Sequence, residues 1–480
     1  MASISRNSIY LLSGSVVQKI LAFVYFIFLA RFLGPDSVGK YTFAISFAAI
    51  FSIFIDLGLN QFLIREAARD EEKARGYFYN IISVKLITSA IIYLLIVIAV
   101  KLLPYPEITR QLVYLAGLVI VLENLANTNY SVLRGWQNLK YEGLGLGIYQ
   151  VIVLATGLVI LFAHLPLPYL IIPLILASIF NFLNGMFFLR KKRSIKISLK
   201  LDKATIRGMI KVSLPFFWSG LFGTVFSYID VVLLSRLAND QAVGFYSAAG
   251  KIPAGLRMFP IALVSALYPA ACFYFINNKE ELKRILEQII FYIILFTVPL
   301  AVGLWVLAEP AILILFGDKF LSAVPALKIL SWSMLFVFLD YVFFTVLNAI
   351  GQEKRNVFNR AVAMIVIIIF NLLLIPLLQQ IGSSIAFVLS FILLVVLGWL
   401  GTQKVIFIPL RSLLSKFVQV LVISVVMGLI MVLLNSLFPW WVVAIIGVGI
   451  YALGVWIMGL INAADIQYLK NLTKFFKTNR

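Results

Sequence analysis

The chain is 480 residues long, 62% hydrophobic and only 12% charged, against about 25% charged residues in an average soluble domain. Apolar runs of roughly 20 residues, the length a helix needs to cross about 30 Å of hydrocarbon, recur from end to end and exclude a soluble globular fold. Cys272 is the only cysteine and His164 the only histidine, so an internal disulfide is impossible and a Cys/His metal site has no donor set.

The first apolar span covers 8–33 and includes SGSVVQKILAFVYFIFLA, with Lys19 among its valines and phenylalanines. It is too long for a signal peptide and runs into RFLGPD instead of a small-residue cleavage site, so it is read as a retained span. The second, 40–58, is short and ends in the polar DLGLNQ. Spans 77–103, 111–131, 144–163, 167–189 and 213–235 follow. The next, 244–275, is over-long and expected to bend at Pro253 or Pro260. Spans 288–308, 327–349, 361–379, 383–403, 417–435 and 440–462 bring the total to fourteen.

With the N-terminus in the cytoplasm, 29 of the 40 lysines and arginines fall on inner connections and the tail, and seven on outer connections. That bias, repeated at every inner connection, is what the positive-inside rule requires, and one missed helix would scramble it. Both termini are therefore expected in the cytoplasm, in a multi-pass protein of the cell (cytoplasmic) membrane. The same topology accounts for the net charge of +20 without a nucleic-acid partner, although RKKRSIKISLK in isolation reads as a basic patch. Contact with anionic membrane lipids at the inner leaflet is the other use for it.

Residues 29–44, LARFLGPDSVGKYTFA, superimpose without a gap on residues 234–249, LSRLANDQAVGFYSAA, after a shift of 205. Leu29, Arg31, Val38, Gly39, Tyr41 and Ala44 fall on Leu234, Arg236, Val243, Gly244, Tyr246 and Ala249. Each copy ends an odd-numbered span, passes a short outer turn and opens the next, so spans 1–6 repeat as spans 7–12 in the same orientation. The expected fold is an all-α polytopic membrane protein with one six-helix lobe over 1–200 and a second over 201–410. Two further helices and a cytoplasmic tail fill 411–480. Lobes related by an axis along the membrane normal are the plan of alternating-access transporters whose cargo binds between the halves.

At these residues the sequence resembles the multidrug/oligosaccharidyl-lipid/polysaccharide (MOP) flippase superfamily, within it the polysaccharide-biosynthesis (Wzx-type, O-antigen-flippase-like) branch. LARFLGPDSVGKY, DLGLNQFLIREAA, YIDVVLLSRLANDQAVGFYSAAGKI, EPAILILFGDKFLSAVPALKIL and LNAIGQEKRN are similar to its recurrent segments, and the resemblance covers essentially the whole chain. It implies a V-shaped protein with a central cavity lined chiefly by spans 1, 2, 7 and 8. Such proteins move a polyprenyl-pyrophosphate-linked oligosaccharide from the cytoplasmic to the outer leaflet. On this reading the chain is a monomer that uses no cofactor and couples to H+ or Na+.

Four basic residues remain inside spans: Lys19, Lys85, Lys251 and Arg257. Each costs roughly 2.5 to 3.5 kcal/mol even on a lenient insertion scale, so such residues face a cavity or a partner. From the inner side, Lys19 lies about 16 Å deep and Lys85 about 12 Å; from the outer side, Lys251 lies about 10 Å deep and Arg257 about 20 Å. Donors at successive depths would replace the water that a crossing pyrophosphate loses. Lys19 shares a helical face with Ser15 and Gln18, turned away from Phe23 and Phe28. Lys251 and Arg257 are about 240° apart on a straight helix, so both belong to the site only if Gly250, Pro253, Gly255 or Pro260 bends it. Lys85 has an alternative use, snorkelling to the inner headgroups, and Lys251 another, pairing with an acid near the outer side.

Four acids share the spans: Asp56, Glu123, Asp230 and Asp340. Asp230 follows Ser219, Gly223 and Ser227 on one small, polar face, where it either binds a coupling proton or Na+ or neutralises Lys251. Asp340 and Glu123 are further coupling-ion candidates, and Asp56, at an inner end, reads as a structural or capping residue. No P-loop, carboxylate pair or nucleophile-base set stands at a recognisable spacing, so no enzyme is expected. Two other functions stay open. A drug/cation antiporter of the same superfamily would rely on the acids. A membrane-embedded glycan polymerase or ligase would bring a large outer loop, and the outer connections here are short.

Overall fold

A computed structural model describes residues 2–193, 198–256 and 258–460, and all regular structure among them is helical. In chain order the first half holds α1 (Ala2–Leu33), α2 (Pro35–Asp56), α3 (Leu59–Arg69), α4 (Glu71–Leu102), α5 (Glu107–Gly135), α6 (Lys140–Phe162) and α7 (Ile172–Arg193). The second half holds α8 (Lys203–Leu237), α9 (Asp240–Gly255), α10 (Met258–Asn277), α11 (Lys279–Val306), α12 (Ala308–Phe316), α13 (Val324–Ala349), α14 (Glu353–Gln403), α15 (Leu410–Leu434) and α16 (Trp440–Ile457). Short 3-10 helices at Leu167–Ile171 and Asp318–Ala323 lead into α7 and α13.

Twelve segments among the described residues are long and apolar enough to cross a membrane. One of them, α14, is 51 residues long and bends at a single non-helical residue, Gln379 (φ 49°, ψ −125°), so it supplies both spans expected at 361–379 and 383–403. The over-long span expected from 244 is α9 followed by α10, interrupted after Gly255 and thus between the two prolines named as bend points. About fourteen crossings result, as the hydropathy pattern requires.

One connection departs from the expected loop. Leu57 and Gly58 take positive φ (51° and 74°) and end α2, after which the chain turns helical again as α3. Leu59, Phe62, Leu63 and Ala67 of α3 are buried, the spacing of one helical face. Leu59, Phe62 and Leu63 pack with Phe78 and Ile81 of α4, Val132 and Leu133 of α5, and Met186 of α7. Side-chain caps begin α4, α8 and α11: Asp70 accepts from the amides of Glu72 and Lys73, Asp202 from those of Ala204 and Thr205, and Asn278 from that of Glu281.

The chain groups into two compact units, Ser3–Ser247 with Ile368–Gln379, and Ala248–Ile367 with the described residues from Gln380 onward. In the first, apolar residues of α2, α4, α5 and α6 such as Phe43, Ile96, Leu112 and Val153 form the core. The first unit also takes in α8 and the first half of α9, ending at Ser247, whereas the repeat divides the lobes at 200/201. The reason is the seam with α2: Phe54 meets Phe217 at 5.9 Å between centroids, Ile53 covers Gly220, and Gly58 abuts the backbone of Ser213 and Phe217. In the second unit α15 and α16 pack on α11 through Val302, Met427, Met431 and Val443, and the Tyr451 hydroxyl donates to the Leu295 carbonyl at 2.6 Å.

The repeated segments have matched environments. Leu29 and Leu234, Val38 and Val243, Tyr41 and Tyr246, and Ala44 and Ala249 are all buried, while Arg31 and Arg236 are both exposed.

Candidate functional site

Small residues hold α1 against α6. A Cβ on Gly14 would stand 2.1 Å from the Gly143 carbonyl oxygen, one on Gly143 would stand 2.2 Å from that of Tyr10, and Gly157 lies under the Tyr25 ring. Only glycine permits backbones this close. The contact sets the rotation of α1, and with it the stripe that carries Lys19. Leu12, Lys19 and Phe26 are seven residues apart, so each lies about 20° around the helix from the one before and all three share one face. Leu12 is 45% exposed and Phe26 4%. Lys19 itself is exposed, Ser15 and Gln18 are half-buried, and Ala30, beyond Phe26, is buried. One face therefore runs from open, on the side that carries the basic connections, to shut on the opposite side. Among the described residues Lys19 makes no hydrogen bond or ion pair, and it lies about 14 Å along the span that starts at Tyr10.

A similar gradient runs along α8. Ser219 is half-buried, nothing lies within 4 Å of a Cβ placed on Gly223, and Ser227 is exposed. Asp230, near the other end, is 4% exposed. Its carboxylate accepts from the Tyr246 hydroxyl and from the Val231 amide. Lys251 is exposed on α9, one turn before Gly255, where a Cβ would meet nothing within 4 Å. Arg257 lies outside the described residues.

The other charges are committed. The Lys85 ammonium is fully buried and reaches Asp56 at 2.7 Å and the Asn60 side chain at 2.8 Å. It does not snorkel, because a fully buried cation is held by its carboxylate. Asp56 also accepts from the Asn60 amide at 3.3 Å, and Thr128 donates to Asn60 at 3.2 Å, so the group fastens the break between α2 and α3 to α4 and α5. Asp340 pairs with Arg360 at 2.7 Å, whose guanidinium lies over the Phe344 ring. Glu123 accepts a hydrogen bond from the Tyr149 hydroxyl at 2.9 Å.

At the end opposite the basic connections the two copies of the repeated segment meet. A Cβ on Gly39 would stand 1.7 Å from the carbonyl oxygen of Asp240, and one on Gly244 would stand 2.0 Å from that of Pro35. Gly244 is Gly39 shifted by 205, and Asp240 is Pro35 shifted by 205. The first turns of α2 and α9 thus cross backbone to backbone in a reciprocal contact, each glycine lying against the carbonyl that the other's repeat supplies. Lys40 pairs with Asp36 beside it, and Ser235 donates to the Asp240 carboxylate at 2.8 Å.

The family model described as polysaccharide biosynthesis protein matches residues 4–275, more than half of the chain. The chain belongs to the polysaccharide biosynthesis protein family. A second model, MatE, matches residues 215–377. The capsular polysaccharide biosynthesis protein CapF of Staphylococcus aureus is 22% identical over 388 residues, covering 80% of this chain and 96% of that protein. The succinoglycan biosynthesis transport protein ExoT of Rhizobium meliloti is 21% identical over 332 residues, covering 69% and 66%. Among solved structures, the lipid II flippase MurJ in an inward closed conformation superposes with a TM-score of 0.77 over 93% of this chain and 97% of that one, at 15% identity. That is the fold of this polysaccharide biosynthesis family member.

The sequence of this family member left the partners Tyr149, Tyr246 and Arg360 unassigned. Tyr246 stood inside the repeated segment with no role. Arg360 immediately precedes the span at 361–379, where a basic residue already satisfies the positive-inside rule. An acid inside the neighbouring span, Asp340, was the signal that it had a second use.

Proposed function

We propose that this protein is a non-enzymatic flippase of the cell membrane. It carries a polyprenyl-pyrophosphate-linked oligosaccharide from the cytoplasmic to the outer leaflet by alternating access, for cell-surface polysaccharide synthesis. The reading is supported above all by the stripe on α1: an ammonium without a protein partner among the described residues, on a face open toward the basic side and sealed beyond Phe26. A lysine in that position costs folding energy that a neutral residue would not, and a pyrophosphate offers it a charge-assisted hydrogen bond. Ser15 and Gln18 add neutral donors beside it, and the Ser219, Gly223 and Ser227 face of α8 provides room for sugar. Lys251 and Arg257 would take over the headgroup deeper in its passage. The cytoplasmic placement of both termini belongs to this proposal, as do the monomeric state and coupling to an ion.

The match to the MatE model over 215–377 supports a second reading, a drug/cation antiporter. Substitution of Lys19 separates the two. Losing one desolvated charge-assisted contact should weaken pyrophosphate binding by about 1.5 to 3 kcal/mol, roughly tenfold to a hundredfold in affinity. In vesicles holding equal amounts of folded protein, Lys19→Gln should slow translocation of a polyprenyl-pyrophosphate sugar by about that factor, and Lys19→Arg should keep much of the rate. A wild-type rate for Lys19→Gln would make the lysine a spectator and favour the antiporter.

A further inference from the structure

Of the four acids within spans, Asp56 is paired with Lys85 and Asp340 with Arg360, and Asp230 is closed off beneath Tyr246. Glu123 differs from all three. It stands on α5 about 24 Å from Glu107 and about 18 Å from Gly135, the middle of the span. Its side chain is only half-buried, and among the described residues no cation lies within ion-pair distance. From α6 it is faced by Tyr149, whose hydroxyl donates to it at 2.9 Å, and from α8 by Tyr228, which is within electrostatic reach. Tyr41 of α2 stands next to Tyr149, and Tyr25 of α1 next to Tyr41. The one cation on the facing length of α4, Lys85, is committed to Asp56 and Asn60, and α7 presents the hydroxyl of Ser178.

An ionised carboxylate at mid-membrane with only neutral phenols around it lacks the partner that its desolvation demands. It must bind a cation or carry a proton. A hard metal cation collects about six oxygen ligands, and Glu123 with Tyr149 supplies half of that. A proton needs only one carboxylate oxygen, and the side chain is not fully enclosed.

We propose that Glu123 is a proton-binding site of the first compact unit, loaded and emptied during each transport cycle and read by α8 through Tyr228. A hydronium ion gives its proton to the carboxylate oxygen and leaves as water, and the reverse step empties the site. Tyr228 and Val232 of α8 rest on the same core as Tyr149, so the charge on Glu123 bears on the packing of the helix that also carries Ser219, Ser227 and Asp230. This rests on the proposed function only for the step that joins protonation to transport.

The site is tested apart from transport by infrared difference spectroscopy of the full chain in vesicles, alkaline minus acid buffer. The wild type should show a protonated-carboxyl band that titrates as one group, its ionised fraction rising about tenfold per pH unit below the midpoint. Glu123→Gln, which keeps an acceptor for Tyr149, should remove the band, and Tyr149→Phe should displace it. A band unchanged in Glu123→Gln, or no titrating band in the wild type, overturns the site. The second arm uses undecaprenyl-pyrophosphate-linked N-acetylglucosamine as probe. An imposed pH gradient should change its flipping rate in the wild type and leave Glu123→Gln insensitive; equal sensitivity in both overturns the coupling. If the wild type never moves the probe while the band titrates and depends on Glu123, the proton site stands and the flippase reading fails.

Discussion

Lys85 is enclosed with an aspartate, whereas Lys19 lies open beside a serine and a glutamine, so a substitution at each reports on a different property. Removing one member of a buried ion pair strands the other charge and costs about 3 to 5 kcal/mol, while removing both is often neutral. Lys85→Met should therefore lower unfolding stability in detergent by about that amount, and the double change Lys85→Met with Asp56→Asn should recover most of the loss. The asparagine neutralises the stranded charge and still accepts from the Asn60 amide. A double variant no more stable than the single would show that the pair is not what holds the α2–α3 break. Lys19→Gln should leave stability at the wild-type value, so that its effect on translocation is not a folding effect. Both lysines were legible as intramembrane charges, but which of them had a partner was not. The partner of Lys85 is 29 residues away on another helix, and nothing in helical periodicity records which faces meet across helices.

Between elements, the informative contact is the crossing of α2 and α9. A methyl group on either glycine would overlap a carbonyl oxygen, so Gly244→Ala and Gly39→Ala each force that end apart. Both variants should raise the rate at which an impermeant maleimide labels Asn239→Cys, in a Cys272→Ala background, and both should slow transport. Because the two changes break one contact, the double variant should be no worse than either single. Wild-type labelling and transport in Gly244→Ala would show that the crossing is not a gate. Burial holds the Asp240 carboxyl above the usual carboxylate range, against the lowering effect of Ser235 and Lys40, with Asp36 adding to the rise; Tyr105 is the other titratable group close by. A group whose pKa is raised in the closed crossing favours that crossing when protonated. Closure should thus be strongest in acid, below the ordinary carboxylate range, and weaken as pH rises through the raised value. The repeat was legible because its matched residues include Arg, Gly and Tyr in a polar turn. The reason for its glycines was not, since the carbonyl that each one meets belongs to the other copy.

For the molecule as a whole, orientation in the membrane is the property to test, and two features of the chain mark the same end. The first is the distribution of 29 basic residues against seven. The second is capping. Asp70, Asp202 and Asn278, the side-chain caps of α4, α8 and α11, all stand at helix starts on the basic side. Proline begins or caps α2, α5 and α16 on the opposite side, and α15 on the basic one. Carboxylate caps with a lowered pKa, Asp70 through the Lys73 amide and Asp202 through the Thr205 hydroxyl and then its amide, suit a surface rich in lysine and arginine. The hydropathy pattern made the number of crossings and the break near Gln379 legible, while the shortness of that break, a single residue in place of a loop, and the helix α3 were not, because a one-residue bend and a short amphipathic turn leave little trace in a window as wide as a span. Lys140, Asn239, Lys319 and Lys354 are all exposed, so single cysteines there, in the Cys272→Ala background, read the orientation directly. An impermeant maleimide added to intact cells should label Asn239→Cys and Lys319→Cys and miss Lys140→Cys and Lys354→Cys, with all four labelled once the cells are opened. The reverse pattern would turn the protein over in the membrane, placing Lys19 in the outer half of its span, where it could not be the first protein group to meet a headgroup arriving from the cytoplasm.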